Sequence, residues 1–388
     1  MIRAIPRTVV ILGIVSLLTD LSSEMIYPLL PVFLAGLGAG ALTLGFIEGI
    51  AESTASLLKV ASGFWTDRSG RRKPLVLGGY GLSGLVRPLI GLAGSWPFVL
   101  ACRFGDRIGK GLRTAPRDAL IADATPPEIR GAAYGFHRAM DHFGAVLGPL
   151  VAAMLLSLAG LSLATVFLLA IIPGVFVIFI LAFGLREKAP AETATRGIPP
   201  RGRLRDLNPG FRAFLAIMGL FTLGNSSDMF LLLRLRDTGI SPSWIAILWS
   251  LHHVVKVVAT SGGGLLADKV DRRWLIAFGW IVYAGVYGAF GFTDSKSVLI
   301  ALFMAYGIYY GLTEPAEKAL VASLVPANLR GTAFGFYHGV MGFGLLPASF
   351  IFGWLWQSFG APAAFLTGSA LALAAAGGMV LMVRERTT

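Results

Sequence analysis

Sixteen residues near the middle of an apolar stretch, Arg103 to Asp118, hold seven charges: Arg103, Asp106, Arg107, Lys110, Arg113, Arg117 and Asp118. At about 100° per residue these fall within an arc of roughly 140° on a helix, opposite Phe104, Ile108, Leu112 and Ala115. Carboxylates set among guanidinium and ammonium groups can exchange protons or hold a charged solute, provided they are kept from bulk water. Other chemistry-bearing groups also stand at helical spacing. Asp20 and Glu24 are an i, i+4 pair, and Glu48, Glu52 and Lys59 share a face. Arg138 and Asp141 are an i, i+3 pair flanked by His137 and His142. Asn225 and Asp228 form a further set, as do His252 and His253 with Lys256 one turn on. In a soluble protein such a stripe would be a solvated face.

The rest of the chain is not that of a soluble protein. Of 388 residues 55% are apolar and only 14% charged, and the mean hydropathy is +0.72. A span of about 20 apolar residues crosses a bilayer core. Twelve segments qualify, near 8–36, 42–66, 75–94, 97–117, 131–158, 162–185, 211–235, 242–267, 274–293, 297–318, 331–358 and 361–383. The expected fold is therefore an all-α polytopic membrane protein of 12 transmembrane helices in two six-helix bundles. Residues 1–185 form the N-terminal bundle, 186–208 a Pro- and Gly-punctuated cytoplasmic linker, and 209–388 the C-terminal bundle. The basic N-terminus before the first apolar run has no small-residue cleavage site, so it reads as the start of an uncleaved helix. A single cysteine, Cys102, excludes an intrachain disulfide framework and a cysteine metal cluster.

The net charge of +12 is placed by topology. Nineteen of the 33 Lys and Arg fall in the termini, the linker and the even-numbered turns; two, Arg236 and Lys296, fall in the odd-numbered turns. That bias puts both termini in the cytoplasm and makes the excess charge a lipid-facing one rather than a nucleic-acid patch. The remaining 12 lie inside spans, where an isolated charge costs at least about 2.5–3.5 kcal/mol. Charges in spans must face water or one another. Counting about 1.5 Å per residue from Trp96, Asp106 and Arg107 lie near the midplane. Arg113, Arg117 and Asp118 lie toward the cytoplasm.

The halves repeat at an offset of about 200 residues. Gly63–Arg72 matches Gly264–Arg273, so Asp67 pairs with Asp268; Ser22-Ser23-Glu24-Met25 matches Ser226-Ser227-Asp228-Met229; Gly111-Leu112 matches Gly311-Leu312. Two parallel repeats about an axis normal to the membrane are the architecture of an alternating-access transporter. The loop residues Gly63, Asp67, Arg68, Gly70, Arg71 and Arg72, with Arg113, Arg117 and Asp118, are expected to form a cytoplasmic gate. Their counterparts would be Asp268, Arg272, Arg273, Glu317 and Lys318.

Those loop residues, continued by Lys73 and Pro74, resemble the signature between helices 2 and 3 of the major facilitator superfamily. Pro28 and Pro31 resemble its proline-bearing first helix, and Arg107 with Gly111 resembles its helix 4 motif, in which a buried Arg is associated with proton transfer. Gly144, Gly148 and Pro149 resemble the helix 5 packing motif of 12-helix drug–proton antiporters, with Ala152 and Ala153 in place of that motif's two glycines. The resemblance implies a secondary active transporter, not an enzyme, exporting a small solute against protons.

The expected proton-coupling and substrate cavity comprises Asp20, Glu24, Glu52, Asp106, Arg107, Lys110, Asp141, Asn225, Asp228, His252 and His253. Protons would exchange at Asp20 or Asp141, near Arg107. No cofactor and no nucleic acid is expected; the partners are a small-molecule substrate, protons and the bilayer. The setting expected is a monomer in a bacterial cytoplasmic (inner) membrane. Three other readings compete: a divalent metal exporter using the span histidines His137, His142, His252, His253 and His338 with Asp20, Glu52, Asn225 and Asp228, an organic-anion transporter using the excess of cations, and a non-transporting membrane sensor on the same fold.

Overall fold

A computed structural model describes residues 5–69, 72–126, 130–185, 207–267, 269–325 and 330–383. Every regular element among them is helical. The twelve long segments are α1 (Arg7–Gly36), α2 (Ala41–Ser69), α3 (Lys73–Leu92), α4 (Trp96–Ala124), α5 (Arg130–Ser157) and α6 (Leu163–Gly184), then α7 (Pro209–Asp237), α8 (Pro242–Ala267), α9 (Arg272–Phe292), α10 (Lys296–Leu324), α11 (Arg330–Phe359) and α12 (Ala361–Met382). Eleven are long and apolar enough to cross a membrane. The exception is α4, which is 29 residues long and carries the charged stripe. Helices dominate because in hydrocarbon the backbone must satisfy its own hydrogen bonds.

Two helices are interrupted at matching places. In α1 the α-helix stops at Glu24, and a 3₁₀ turn over Tyr27–Leu29 precedes Leu30–Gly36. Pro28 and Pro31 remove backbone donors there. In α7 the helix stops at Gly224 and resumes at Met229, leaving Asn225, Ser226 and Ser227 non-helical although no proline is present. The freed Gly224 carbonyl accepts from the Tyr283 hydroxyl at 2.9 Å, so packing compensates for the lost helical bond.

The repeat extends to the turns. Gly38 and Gly239 have φ of 77° and 80°; Gly160 and Gly360 have φ of 63° and 86°. Each pair lies about 200 residues apart, at turns joining α1–α2, α7–α8, α5–α6 and α11–α12. Only glycine adopts this backbone without strain.

The described residues fall into two compact units. One takes most of α1–α6 together with Ser241–Ser250 of α8; the other takes most of α7–α12 together with Ala39–Gly49, which includes the start of α2. In the first, α1 and α5 approach backbone to backbone. A β-carbon on Gly144 would lie 2.3 Å from the Leu17 carbonyl, and one on Gly148 would lie 2.6 Å from that of Leu21. Pro149 sits inside α5 beside them. Val9, Leu12, Val15, Tyr80, Ile121 and Val177 close an aliphatic core at one end of this unit. The second unit is cored by aromatic rings instead, among them Phe221 stacked on Trp280 at 4.5 Å and Tyr283 on Tyr287 at 4.1 Å.

Candidate functional site

The charged stripe of α4 is turned into the first unit. Asp106 is the centre of a cluster of arginines. Arg87 of α3 donates to Asp106 Oδ1 through Nε at 3.0 Å and Nη2 at 2.7 Å, with the two side chains 4% and 3% exposed. Arg87 Nη1 also donates to the Thr19 carbonyl at 3.2 Å and to Ser22 Oγ at 3.4 Å. Arg103 and Arg107 each lie 3.7 Å from Asp106 Oδ2. Arg107 Nη1 reaches Glu52 of α2 at 3.1 Å. A planar fork held by a carboxylate suits a buried site, because the pair satisfies its own donors and acceptors.

A second set of acids lies between α1 and α5. The Ser16 hydroxyl donates to Asp141, and His137 Nδ1 and Arg138 Nη1 stand 3.8 and 3.7 Å from Asp141 Oδ2. Asp20 is close enough to feel the charges of Asp141, Glu24, Arg113 and Lys110. The close approach of α1 and α5 at Gly144 brings these acids together, since the Asp20 β-carbon is 3.1 Å from where a Gly144 side chain would start. One turn along α1, Glu24 accepts from the Trp249 indole at 2.7 Å, and Tyr27 packs on the same indole at 5.3 Å.

In the second unit the equivalent of Glu24 is Asp228, at the resumption of α7. Its Oδ1 accepts from Tyr306 at 2.7 Å and its Oδ2 from Tyr310 at 2.9 Å. Asn225 donates to the Tyr309 hydroxyl at 3.3 Å, and Ser226 shares a hydrogen bond with Tyr287 at 3.3 Å. His252 donates from Nδ1 to the Phe303 carbonyl at 3.0 Å and stacks on Tyr306; the His253 ring is 6.2 Å away and nearly perpendicular. Lys256 Nζ sits 3.5 Å above the centre of the Tyr310 ring.

The two units thus place different chemistry on one scaffold. Arg87 and Asp106 correspond, 200 residues on, to Tyr287 and Tyr306, and both Arg87 and Tyr287 bond the serine at the interrupted helix, Ser22 or Ser226. An ion pair in one unit is a pair of phenols in the other.

Comparison with known proteins agrees with this architecture. The model of the Major Facilitator Superfamily matches residues 12–235 and 210–388. The chain belongs to that superfamily. It is 34% identical over 377 residues to an uncharacterized MFS-type transporter of Methanocaldococcus jannaschii, covering 96% of this chain and 94% of the relative. It is 25% identical to the multidrug resistance protein MdtH of Salmonella paratyphi C, over 83% of this chain and 79% of that one. In fold it resembles the nucleoside transporter NupG, with a TM-score of 0.83 at 12% identity over 97% and 100% of the two chains. The protein is an integral membrane transporter, not an enzyme.

The remaining sequence candidates are placed as follows. Lys110 is half-buried on α4, in the fields of Glu52 and Asp20. Arg113, assigned by depth to the gate, is buried with its guanidinium 4.2 Å over the Tyr80 ring, among the interior charges. Arg72 pairs with Asp123 and donates to the Ala119 carbonyl at 3.2 Å; Arg117 pairs with its neighbour Asp118 at 2.8 Å. Arg272 opens α9, and Arg273 bonds Asp271 and the Val383 carbonyl. Those Arg273 bonds hold the Asp271 carboxyl below the usual carboxylate range. Glu317 accepts from Tyr337 at 2.7 Å, and Lys318 pairs with Glu314 at 2.8 Å. Gly63, Asp67 and Arg68 lie on α2, but their side chains are outside the described residues, as are Gly70, Arg71 and Asp268 altogether.

No three His, Cys, Asp or Glu side chains are grouped to hold a metal ion among the described residues. The residues that sequence reasoning missed are mostly aromatic or polar partners of the acids: Ser16, Arg87, Trp249, Tyr306 and Tyr310. Arg87 was legible as a lone cation in a span, which must find an acid. The tyrosines carried no signal until their ring positions were known.

Proposed function

We propose that this transporter exports a small solute in exchange for protons by alternating access, as a monomer with both termini in the cytoplasm of a bacterial cell. The observation that supports it is the α1–α5 contact within the membrane spans, where Ser16 donates to Asp141 and Asp20 stands one turn from Ser16 on the same helix. A carboxylate so placed can take a proton from one side and release it to the other as water access alternates. Lys110 and Arg113 supply counter-charge when the pair is ionised. The arginine cluster on Asp106 fixes α3 and α4 around it. Export is also supported by the likeness to MdtH, a multidrug resistance protein.

The test is proton-driven flux in energised vesicles. Asp20→Asn and Asp141→Asn are expected to lower it on the order of tenfold or more, and Arg107→Ala to lower it by releasing Glu52. Solute exchange without a gradient should survive in the two Asn variants, because neither step then needs net proton movement. Undiminished proton-driven flux in all three variants would sink the mechanism.

A further inference from the structure

The second unit holds a charge that the proton mechanism leaves unused. Lys256 of α8 projects its ammonium onto the face of Tyr310, 3.5 Å from the ring centre. The hydroxyl of the same tyrosine donates to both Asp228 oxygens, at 3.2 and 2.9 Å, and Tyr306 donates to Oδ1 at 2.7 Å. Aromatic face, carboxylate and stacked ring therefore converge, with the His252 imidazole 5.6 Å from the Tyr306 ring. Asp228, Asn225, Lys256 and Tyr310 are each only half-buried, so this cluster is open on one side.

A tyrosine face next to a carboxylate is an environment for a cation with an apolar body: the ring's quadrupole attracts the charge, and the carboxylate neutralises it. The tyrosine hydroxyls donate to Asp228 and so orient it. The position over Tyr310 is already filled by an ammonium, but one on a flexible four-carbon stem that can swing aside.

We propose that Asp228, Tyr306 and Tyr310 form a binding subsite for an organic cation and that Lys256 is its built-in occupant, displaced when the solute's cationic group arrives. The inference deepens the export reading by naming a substrate class, and rests on it only in requiring that a solute bind. It differs from an anion site, in which Lys256 would itself be the ligand. The two predict opposite effects of removing the lysine.

The experiment is equilibrium binding to the purified full-length protein without a proton gradient, using tetraphenylphosphonium and benzyltrimethylammonium as cations and benzenesulfonate as the anion. Lys256→Gln is expected to tighten cation binding several-fold by vacating the ring. Tyr310→Phe keeps the face and should retain most of the affinity; Tyr310→Leu removes it and should lose on the order of tenfold. Asp228→Asn should also weaken cation binding, and should it not fold, the Phe and Leu pair tests the site alone.

Cation affinity unchanged or weakened in Lys256→Gln, or benzenesulfonate binding that this change abolishes, overturns the proposal. So does failure of both cations to bind either wild type or Lys256→Gln. Proton-driven flux in the Asp20 and Asp141 variants is read separately, so the coupling mechanism can fail while this subsite stands, and the reverse.

Discussion

Replacing Arg87 with Leu is expected to destabilise the protein by about 3–5 kcal/mol, because it strands Asp106 as a buried carboxylate. Both side chains are nearly fully enclosed, and Arg87 supplies Asp106's shortest contacts. Arg103 and Arg107 remain 3.7 Å away and offset part of the loss, but neither is at hydrogen-bonding distance. Arg87→Leu also frees the Thr19 carbonyl and Ser22 hydroxyl at the interruption of α1. Asp106→Leu leaves three arginines without their shared acid and should cost a similar amount. The double variant Arg87→Tyr with Asp106→Tyr copies the arrangement of Tyr287 and Tyr306, whose rings lie 6.0 Å apart in the other unit. It should recover the part of the loss that comes from stranding one member of the Arg87–Asp106 pair, while Arg103 and Arg107 still lose their shared acid. Thermal unfolding of purified variants reads this directly. A melting temperature for Arg87→Leu equal to wild type would show that the pair contributes nothing.

Gly144→Val should do its damage through the backbone. The new β-carbon would meet the Leu17 carbonyl at 2.3 Å, which no rotamer relieves, and the Asp20 β-carbon at 3.1 Å. The helices must separate, at a cost of about 1–3 kcal/mol or more, and Asp20 shifts away from Asp141. Gly135 on the same helix has open space where a side chain would start. Gly135→Val is therefore the matched control and should leave expression and flux near wild type. If Gly144→Val folds with unchanged proton-driven flux, the tight α1–α5 contact is not what positions the acids.

These two expectations show where sequence reading succeeded and where it stopped. Gly144 stood out in the sequence through the likeness of Gly144, Gly148 and Pro149 to a helix 5 packing motif; the close backbone approach itself is seen only in the fold. Arg107 and Glu52 were legible as span charges that need partners. Their mutual pairing was not, since several acids lay at similar depth and depth alone does not say which faces meet. The depth of Arg113 along the axis likewise did not give its partner, and its guanidinium packs on the Tyr80 ring.

By itself the sequence determined that the chain is a series of apolar helices repeated in two halves, and which set of charges must be kept from lipid. Both follow from composition and local periodicity, which act within one helix or one turn. Only the tertiary structure decided which charge meets which. It set Arg87 on Asp106 and Trp249 on Glu24, and it surrounded Asp228 with tyrosines at a break in α7 that no proline announces. The physical reason is that a buried charge costs too much to stay unpaired, but every helix offers several faces. Packing between helices chooses the face, and with it the partner.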